Sequence, residues 1–228
     1  MATSTVEDYV KAIYLAQHEG AAAGAGKGRA APGSVSVGEL AAQLRVVPGT
    51  ATAMMKALSE AGLVKYEPRR GVRLTAGGEK LALHVLRRHR LIELFLVRYL
   101  KLDWSEVHEE AEALEHAISE KVVERLDELL GRPEVDPHGD PIPSGAGKVS
   151  TARARPLSAC ETGDEARVVR VDNRDAAFLK YAEKNGLVPG AVVKLRHHET
   201  AAEAVTVSVR GHAVTLGYAA AGRIWVSV

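Results

Sequence analysis

Two stretches of this chain carry side chains that cannot form an ordinary core. They are His89-Arg-Leu-Ile-Glu93 and His108-Glu-Glu-Ala-Glu112-Ala-Leu-Glu115-His116. Both read as helix. His89 and Glu93 are spaced i, i+4; Glu112, Glu115 and His116 share one helix face, with His108 a turn earlier. One such residue alone would be a solvated helix face. Imidazoles and carboxylates converging from two helices instead form a poor core and a good divalent-cation site. Any fold must therefore bring these helices together on their polar sides.

What precedes them reads as a nucleic-acid module. Ser4-x-x-Glu7 opens a first helix with an apolar face of Val6, Tyr9, Val10, Ile13 and Tyr14. Residues 20–34 are low-complexity Gly/Ala sequence, and Gly24-x-Gly26-x-Gly28 lacks the preceding strand and the Lys-Ser/Thr of a phosphate loop. Ser36-x-x-Glu39 caps a second helix, and Pro48 starts a third that stops at Gly62. Leu63–Tyr66 and Gly71–Leu74 then read as strands around the turn Glu67-Pro-Arg-Arg70, completing a helix-turn-helix with a basic wing. Pro48, Thr50 and Thr52 would face the major groove, and Lys56, Arg69 and Arg70 would meet phosphate. A winged helix used for protein contacts is the competing reading.

Charge supports this division. Residues 1–75 carry 9 Lys/Arg against 6 Asp/Glu, whereas residues 76–131 carry 8 against 12. The basic end suits phosphate and the acidic middle suits cations.

One long helix is predicted from Ala76 to about Leu100, apolar enough late on to imply a dimer seam. Asp103 or Ser105 would cap a helix through His116, and Ser119 another through Leu130. Pro- and Gly-rich residues 131–156 read as a linker, broken by Asp136-Pro-His138-Gly. Five short β-rich runs and a helix over Asp175–Asn185 then suggest a small barrel. The expected fold class is α+β. Its parts are a winged helix over 1–75, a helical dimerisation and metal-binding domain over 76–138, a linker over 139–156 and an SH3-like barrel over 157–228.

Other functions fare worse. His108-Glu-Glu-Ala-Glu112 fails the H-E-x-x-H metalloprotease pattern, the inverted pattern fails at Glu112, and no nucleophile elbow appears, so no enzyme is expected. No apolar run approaches a membrane span, and the N-terminus lacks a signal-peptide core. The lone Cys160 reads as a small buried residue and fits a reducing cytoplasm. His18, His84, His197, His198 and His212 read as surface or packing residues.

The chain resembles the diphtheria toxin repressor family of metal-dependent transcriptional regulators. The resemblance rests on Glu7-Asp8-Tyr9, the winged helix closing on Gly62-Leu63-Val64, and His89-Arg90-Leu91 with Glu93. It continues through Val107-His108-Glu109-Glu110-Ala111 with Glu115-His116, then Pro137-His138-Gly139 with Pro141-Ile142-Pro143, and Gly186-Leu187-Val188-Pro189-Gly190 in a FeoA-like tail. It covers nearly the whole chain except 20–34. It implies a homodimer that metal organises onto a palindromic DNA operator, repressing metal-homeostasis genes, with no membrane partner and no small-molecule substrate. The implied main ligands are Asp8, His89, Glu112, Glu115 and His116. Asp at position 8 and Glu at 112 match the manganese sensors, where iron sensors tend to have Met and Cys; Mn²⁺ is the expected cofactor and Fe²⁺ the alternative. Lys11 replaces a Glu of some manganese members and favours a single metal there. A second site is implied from His89 or Glu93 with His108, reaching Asp136 and His138 in the linker and Asp172 and Asp175 in the barrel. Turn and helix-cap chemistry competes for that last pair.

Overall fold

The computed structural model describes residues 3–19, 33–150 and 153–227, so most of the predicted 20–34 insertion lies outside the described residues. The chain divides into two compact units: Met1–Arg88 with Pro143–Lys148, and His89–Ile142 with Val149–Val228.

In the first unit, α1 (Ser4–Glu19), α2 (Val37–Gln43) and α3 (Pro48–Glu60) precede a hairpin of β1 (Val64–Glu67) and β2 (Gly71–Leu74). The Ser36 capping box forms as predicted, and Pro48 occupies the first turn of α3. Tyr9, Ile13, Leu40, Met55, Leu58 and Val72 make the core of this unit. Val35 pairs with Val72 through both backbone hydrogen bonds (2.8 and 2.9 Å), giving the hairpin a third edge. Gly71 makes that possible: at φ +102° a Cβ would stand 2.6 Å from the Val35 carbonyl. Gln17 on α1 pins the hairpin by accepting from Leu74 N (3.1 Å) and donating to Gly33 O (2.8 Å).

Helix α4 (Ala76–Arg98) is continuous across the unit boundary, which falls between Arg88 and His89. In the first unit its Arg88 pairs with Glu7 at 2.9 Å, and Arg87 donates to Pro143 O at 3.1 Å. The segment Pro143–Lys148 is therefore held against the first unit rather than being slack linker.

In the second unit, the C-terminal half of α4 packs against α5 (Val107–Glu115) and α6 (Glu120–Leu129). Ile92, Leu96, Val107 and Ala111 form one apolar cluster, and Leu91, Leu94, Val123, Leu130 and Ile142 another. Helix α5 starts later than the Asp103 or Ser105 cap predicted, because Asp103 spends its carboxylate on Ser105 N (2.8 Å) and Ser105 Oγ (2.5 Å) in a turn ahead of the helix. Tyr99, Leu100, Leu114, Val122 and Leu129 remain exposed on these helices.

The C-terminal part is a six-stranded antiparallel sheet in the order β3-β8-β4-β5-β6-β7. Its strands are β3 (Arg155–Pro156), β4 (Glu165–Val171), β5 (Val192–Glu199), β6 (Ala204–Val209), β7 (His212–Gly217) and β8 (Ile224–Ser227), with α7 (Ala176–Lys184) and the single turn α8 (Tyr218–Ala221) between them. The five predicted strands are present. The sequence reading lacked β3 and α8, and no ladder joins β3 to β7 among the described residues. Bulges at Val168/Arg170 and Leu195/His197 bend the sheet around its core. Cys160 is buried there, as read from sequence. His198 is a packing residue, its Nε2–H donating to Cys160 O, while His84, His197 and His212 are exposed.

Residues 136–142 are a packed loop. Val135 bridges to Pro141, and Val171 N donates to His138 O at 2.9 Å. Gly139, at φ +89°, lies so near β4 that a Cβ would stand 1.9 Å from Val169 O. No helix among the described residues is long and apolar enough to cross a membrane.

Candidate metal centre

Helix α4 presents His89 and Glu93 one turn apart, and α5 presents His108, Glu112 and Glu115. His89 Nδ1–H donates to Glu115 Oε2 at 2.7 Å. That leaves Nε2 pointing at Glu93 Oε1 (3.0 Å) and His108 Nδ1 (3.1 Å), and His108 Nδ1 lies 3.2 Å from the same Glu93 oxygen. Three donor atoms thus form a triangle with edges of 3.0–3.2 Å. Cis ligands around an octahedral divalent ion with bonds of about 2.1 Å stand roughly 3.0 Å apart, whereas those around tetrahedral zinc stand roughly 3.4 Å apart. Glu112 sits at the rim, its Oε1 3.7 Å from His108 Nε2 and 4.0 Å from His89 Nδ1. His116 approaches the other oxygen of Glu115, Nε2 to Oε1, at 3.3 Å.

The second oxygen of Glu93 faces a different set. Glu93 Oε2 lies 3.9 Å from His138 Nδ1, which lies 4.0 Å from Asp136 Oδ1. Glu93 and His138 are completely buried, and Asp136 is buried. His138 Nε2–H donates to Trp104 O at 2.8 Å, so in the neutral ring Nδ1 carries the lone pair. Glu93 Oε2, Asp136 Oδ2 and His138 Nδ1 are all buried without a hydrogen-bond partner. Orphaned polar atoms are costly in an apolar interior, and one ligand atom from each of Glu93, Asp136 and His138 lies within 4.8 Å of the other two, an arrangement that fits a bound cation.

The surroundings polarise these groups in opposite senses. Burial pushes the Glu93 carboxyl up, but the His89 charge and hydrogen bonds from His108 and His89 outweigh it, holding Glu93 well below the usual carboxylate range. Burial, then the charges of Asp140 and Glu93, raise Asp136 well above that range against the pull of Arg90. Arg90 is clamped into the loop by Pro141 O (2.5 Å), Asp136 (3.7 Å) and Asp140 (3.6 Å). Arg170 reaches Asp140 at 3.3 Å and lies over the Trp225 ring at 3.6 Å.

Among the sequence-predicted ligands, the second unit brings together His89, Glu93, His108, Glu112 and Glu115, and Glu93 with Asp136 and His138. Asp8, half-buried, lies on α1 in the first unit with Lys11, which is buried. Asp172 and Asp175 are engaged elsewhere. Asp172 holds Arg174 and Arg223, and Asp175 caps α7 through Ala177 N and Phe178 N while pairing with Arg223. The sequence reading missed Arg90, Asp140 and Trp104. Asp140 flanks the Pro137-His138-Gly139 motif and could have been suspected; Trp104 had no local signal.

In the first unit, Pro48, Thr50, Lys56, Arg69 and Arg70 are exposed and Thr52 is half-buried. Thr52 donates to Pro48 O (2.9 Å), and Arg70 pairs with Glu67 (2.9 Å). Arg69 holds the left-handed turn position at φ +65°.

A winged helix, and a helix pair bearing imidazoles and carboxylates, are the parts of a metal-responsive DNA-binding regulator. Three family models match in series: "iron dependent repressor, N-terminal DNA binding domain" over residues 30–72, "iron dependent repressor, metal binding and dimerisation domain" over 75–144, and the FeoA domain over 155–228. The chain belongs to the diphtheria toxin repressor family of metal-dependent transcriptional regulators. It is 30% identical over 220 residues to the iron-dependent repressor IdeR of Mycobacterium leprae, covering 91% of this chain and 90% of that one. It is 34% identical over 137 residues to the transcriptional regulator MntR of Lysinibacillus sphaericus, covering 60% of this chain and 89% of that one. A solved manganese-dependent transcriptional repressor in complex with manganese superposes with a TM-score of 0.86 at 38% identity, covering 97% of this chain and 99% of that one. The chain is accordingly a metal-dependent, DNA-binding, dimerising repressor and not an enzyme, as the sequence reading expected.

Proposed function

We propose that this repressor responds to Mn²⁺ and, as a homodimer, binds a palindromic operator controlling metal-homeostasis genes. The observation that carries this reading is the donor chemistry. Among the described residues, the clustered ligand atoms are imidazole nitrogens and carboxylate oxygens, with no cysteine thiolate. Such a set suits Mn²⁺ and similarly hard ions. The manganese-dependent repressor of known structure, at 38% identity, supports it.

His89, Glu93 and His108 would form one set, with Glu112 at its rim; Glu93, Asp136 and His138 would form another. Glu115 and His116, with Asp8 as the family resemblance implies, would complete the regulator's ligands, and Asp172 and Asp175 are assigned to the sheet's own packing. When bound, a divalent cation supplies positive charge among buried carboxylates. The protein's part is to aim its donors. Glu115 fixes the tautomer of His89, and the Trp104 carbonyl fixes that of His138. Because α4 carries His89 and Glu93 and continues into the DNA-binding unit, ordering these ligands bears on that unit. Thr50 and Thr52 would meet base edges beside Pro48; Lys56, Arg69 and Arg70 would hold phosphate.

The test is a mobility-shift titration with Mn²⁺ and, anaerobically, Fe²⁺. Specific binding should appear at lower free Mn²⁺ than Fe²⁺ and vanish with chelator. Activation by Fe²⁺ at equal or lower concentration would make this an iron sensor, and operator binding indifferent to chelator would remove metal control altogether.

A further inference from the structure

We infer that Trp104 is a positioning residue for the metal centre, holding His138 in the single tautomer and ring orientation that turn Nδ1 toward Glu93 and Asp136. The inference rests on reading those three residues as a cation-binding set.

Three observations converge on Trp104. Its carbonyl accepts from His138 Nε2–H at 2.8 Å. Its indole stacks on the His138 imidazole, with ring centres 5.4 Å apart and planes 21° apart. The same indole is buried within the core of the C-terminal sheet, alongside Leu157, Val171, Phe178 and Leu179, although Trp104 belongs to the segment that leads into α5. The anchor in the sheet core fixes the carbonyl, and the ring covers one face of the imidazole. The Glu93 and Asp136 oxygens stand 3.9 and 4.0 Å from Nδ1, beyond hydrogen-bond distance, so among the described residues the Trp104 carbonyl is the ring's one hydrogen-bond partner and selects between its ring states.

The selection matters chemically. A neutral imidazole has one N–H and one lone pair, and only the lone pair binds a cation. With the proton committed to the Trp104 carbonyl, the ligating nitrogen is Nδ1, which is buried, lacks a hydrogen-bond partner and faces two carboxylates. Without that commitment the imidazole would divide its population between tautomers, and only part would be ready to bind. Trp104 thus links the sheet domain to the metal centre without donating an atom to it. That gives the sheet a route to metal affinity that needs neither Asp172 nor Asp175.

The test starts on the metal-free protein. Nitrogen-15 spectra of the histidine rings should show His138 as one tautomer, protonated at Nε2. Trp104→Leu, which keeps apolar bulk but removes the flat face, should give a mixed tautomer; Trp104→Phe should restore the single one. Mn²⁺ calorimetry should then show a loss of roughly tenfold or more in Trp104→Leu, the usual effect of removing an outer-shell partner. Adding Trp104→Leu to His138→Ala should bring no further loss, because both act through one imidazole. An unchanged tautomer in Trp104→Leu, or additive losses in the double variant, would overturn the assignment. Mn²⁺ binding indifferent to His138→Ala would sink the cation reading of this set alone, while a Trp104-dependent tautomer would still support the positioning role.

Discussion

Glu93 shows how much one buried side chain can organise. Each of its oxygens serves a different neighbourhood, Oε1 the pair His89 and His108, Oε2 the orphaned atoms around His138. Glu93→Gln would remove the negative charge and replace one of the two oxygens by an NH2 that cannot ligate, so only one of the two neighbourhoods would keep an oxygen. Mn²⁺ affinity should fall by at least the roughly 10–100-fold typical of a lost outer-shell group, as read by calorimetry; an unchanged isotherm would place the metal elsewhere. Asp172 belongs to a different economy of charge. Burial would raise its carboxyl, but hydrogen bonds from Arg174 and the charges of Arg174 and Arg223 hold it below the usual range. A carboxyl depressed by folding stabilises above its unfolded value, near pH ~3.9, and that contribution is lost as the pH falls through the folded value. Asp172→Asn should therefore lower urea stability by about 1–2 kcal/mol near neutrality, with the difference from wild type shrinking as the pH falls below the unfolded value and through the folded one. A difference independent of pH would assign Asp172 some role other than an ion-paired carboxylate.

At the scale of elements, the wing and the 136–142 loop make contrasting predictions. Arg69 is exposed at the tip of the wing, whereas Arg70 is already paired with Glu67. Arg69→Ala should weaken operator and random DNA alike and reduce the salt slope by about one unit. Thr50→Ala or Thr52→Ala should narrow the gap between operator and random DNA; equal losses on every sequence would reject that division. In the loop, Gly139 is packed against the Val169 carbonyl at positive φ. Gly139→Ala should cost more than about 1 kcal/mol in thermal stability and lift His138 from its bond with Val171. Much at this scale was legible in advance. The Ser36 capping box, Pro48 at the start of α3 and the i, i+4 spacing of His89 and Glu93 are local signals, and the helices they mark are present. The features missed are set by distant partners. β3 exists only through pairing with β8 some seventy residues on, and Asp103 turns its carboxylate to Ser105 in competition with helix capping. The 136–142 loop reads as linker by composition, yet it is held by Val171, Arg90 and Arg170, which no window around it contains.

For the molecule as a whole, the family, the α+β architecture and the repressor function could be read from motifs in combination, because helix spacing and turn chemistry repeat whatever the packing. How the sheet domain bears on the metal centre could not, since it depends on an indole entering a core built fifty and more residues later. Removing residues 150–228 would strip that core from around Trp104. The truncated chain should still bind its operator but need more Mn²⁺ to do so, measured as a rightward shift of the mobility-shift midpoint; an unmoved midpoint would free the sheet for some other partner. The shared carboxylate of Glu93 has a consequence of another kind. Two donor sets that lean on one codon share a single point at which both change at once. A substitution at Glu93 would retune both sets together and shift the whole dose–response curve along the concentration axis, whereas one at His108 or Asp136 would move a single set and reshape it.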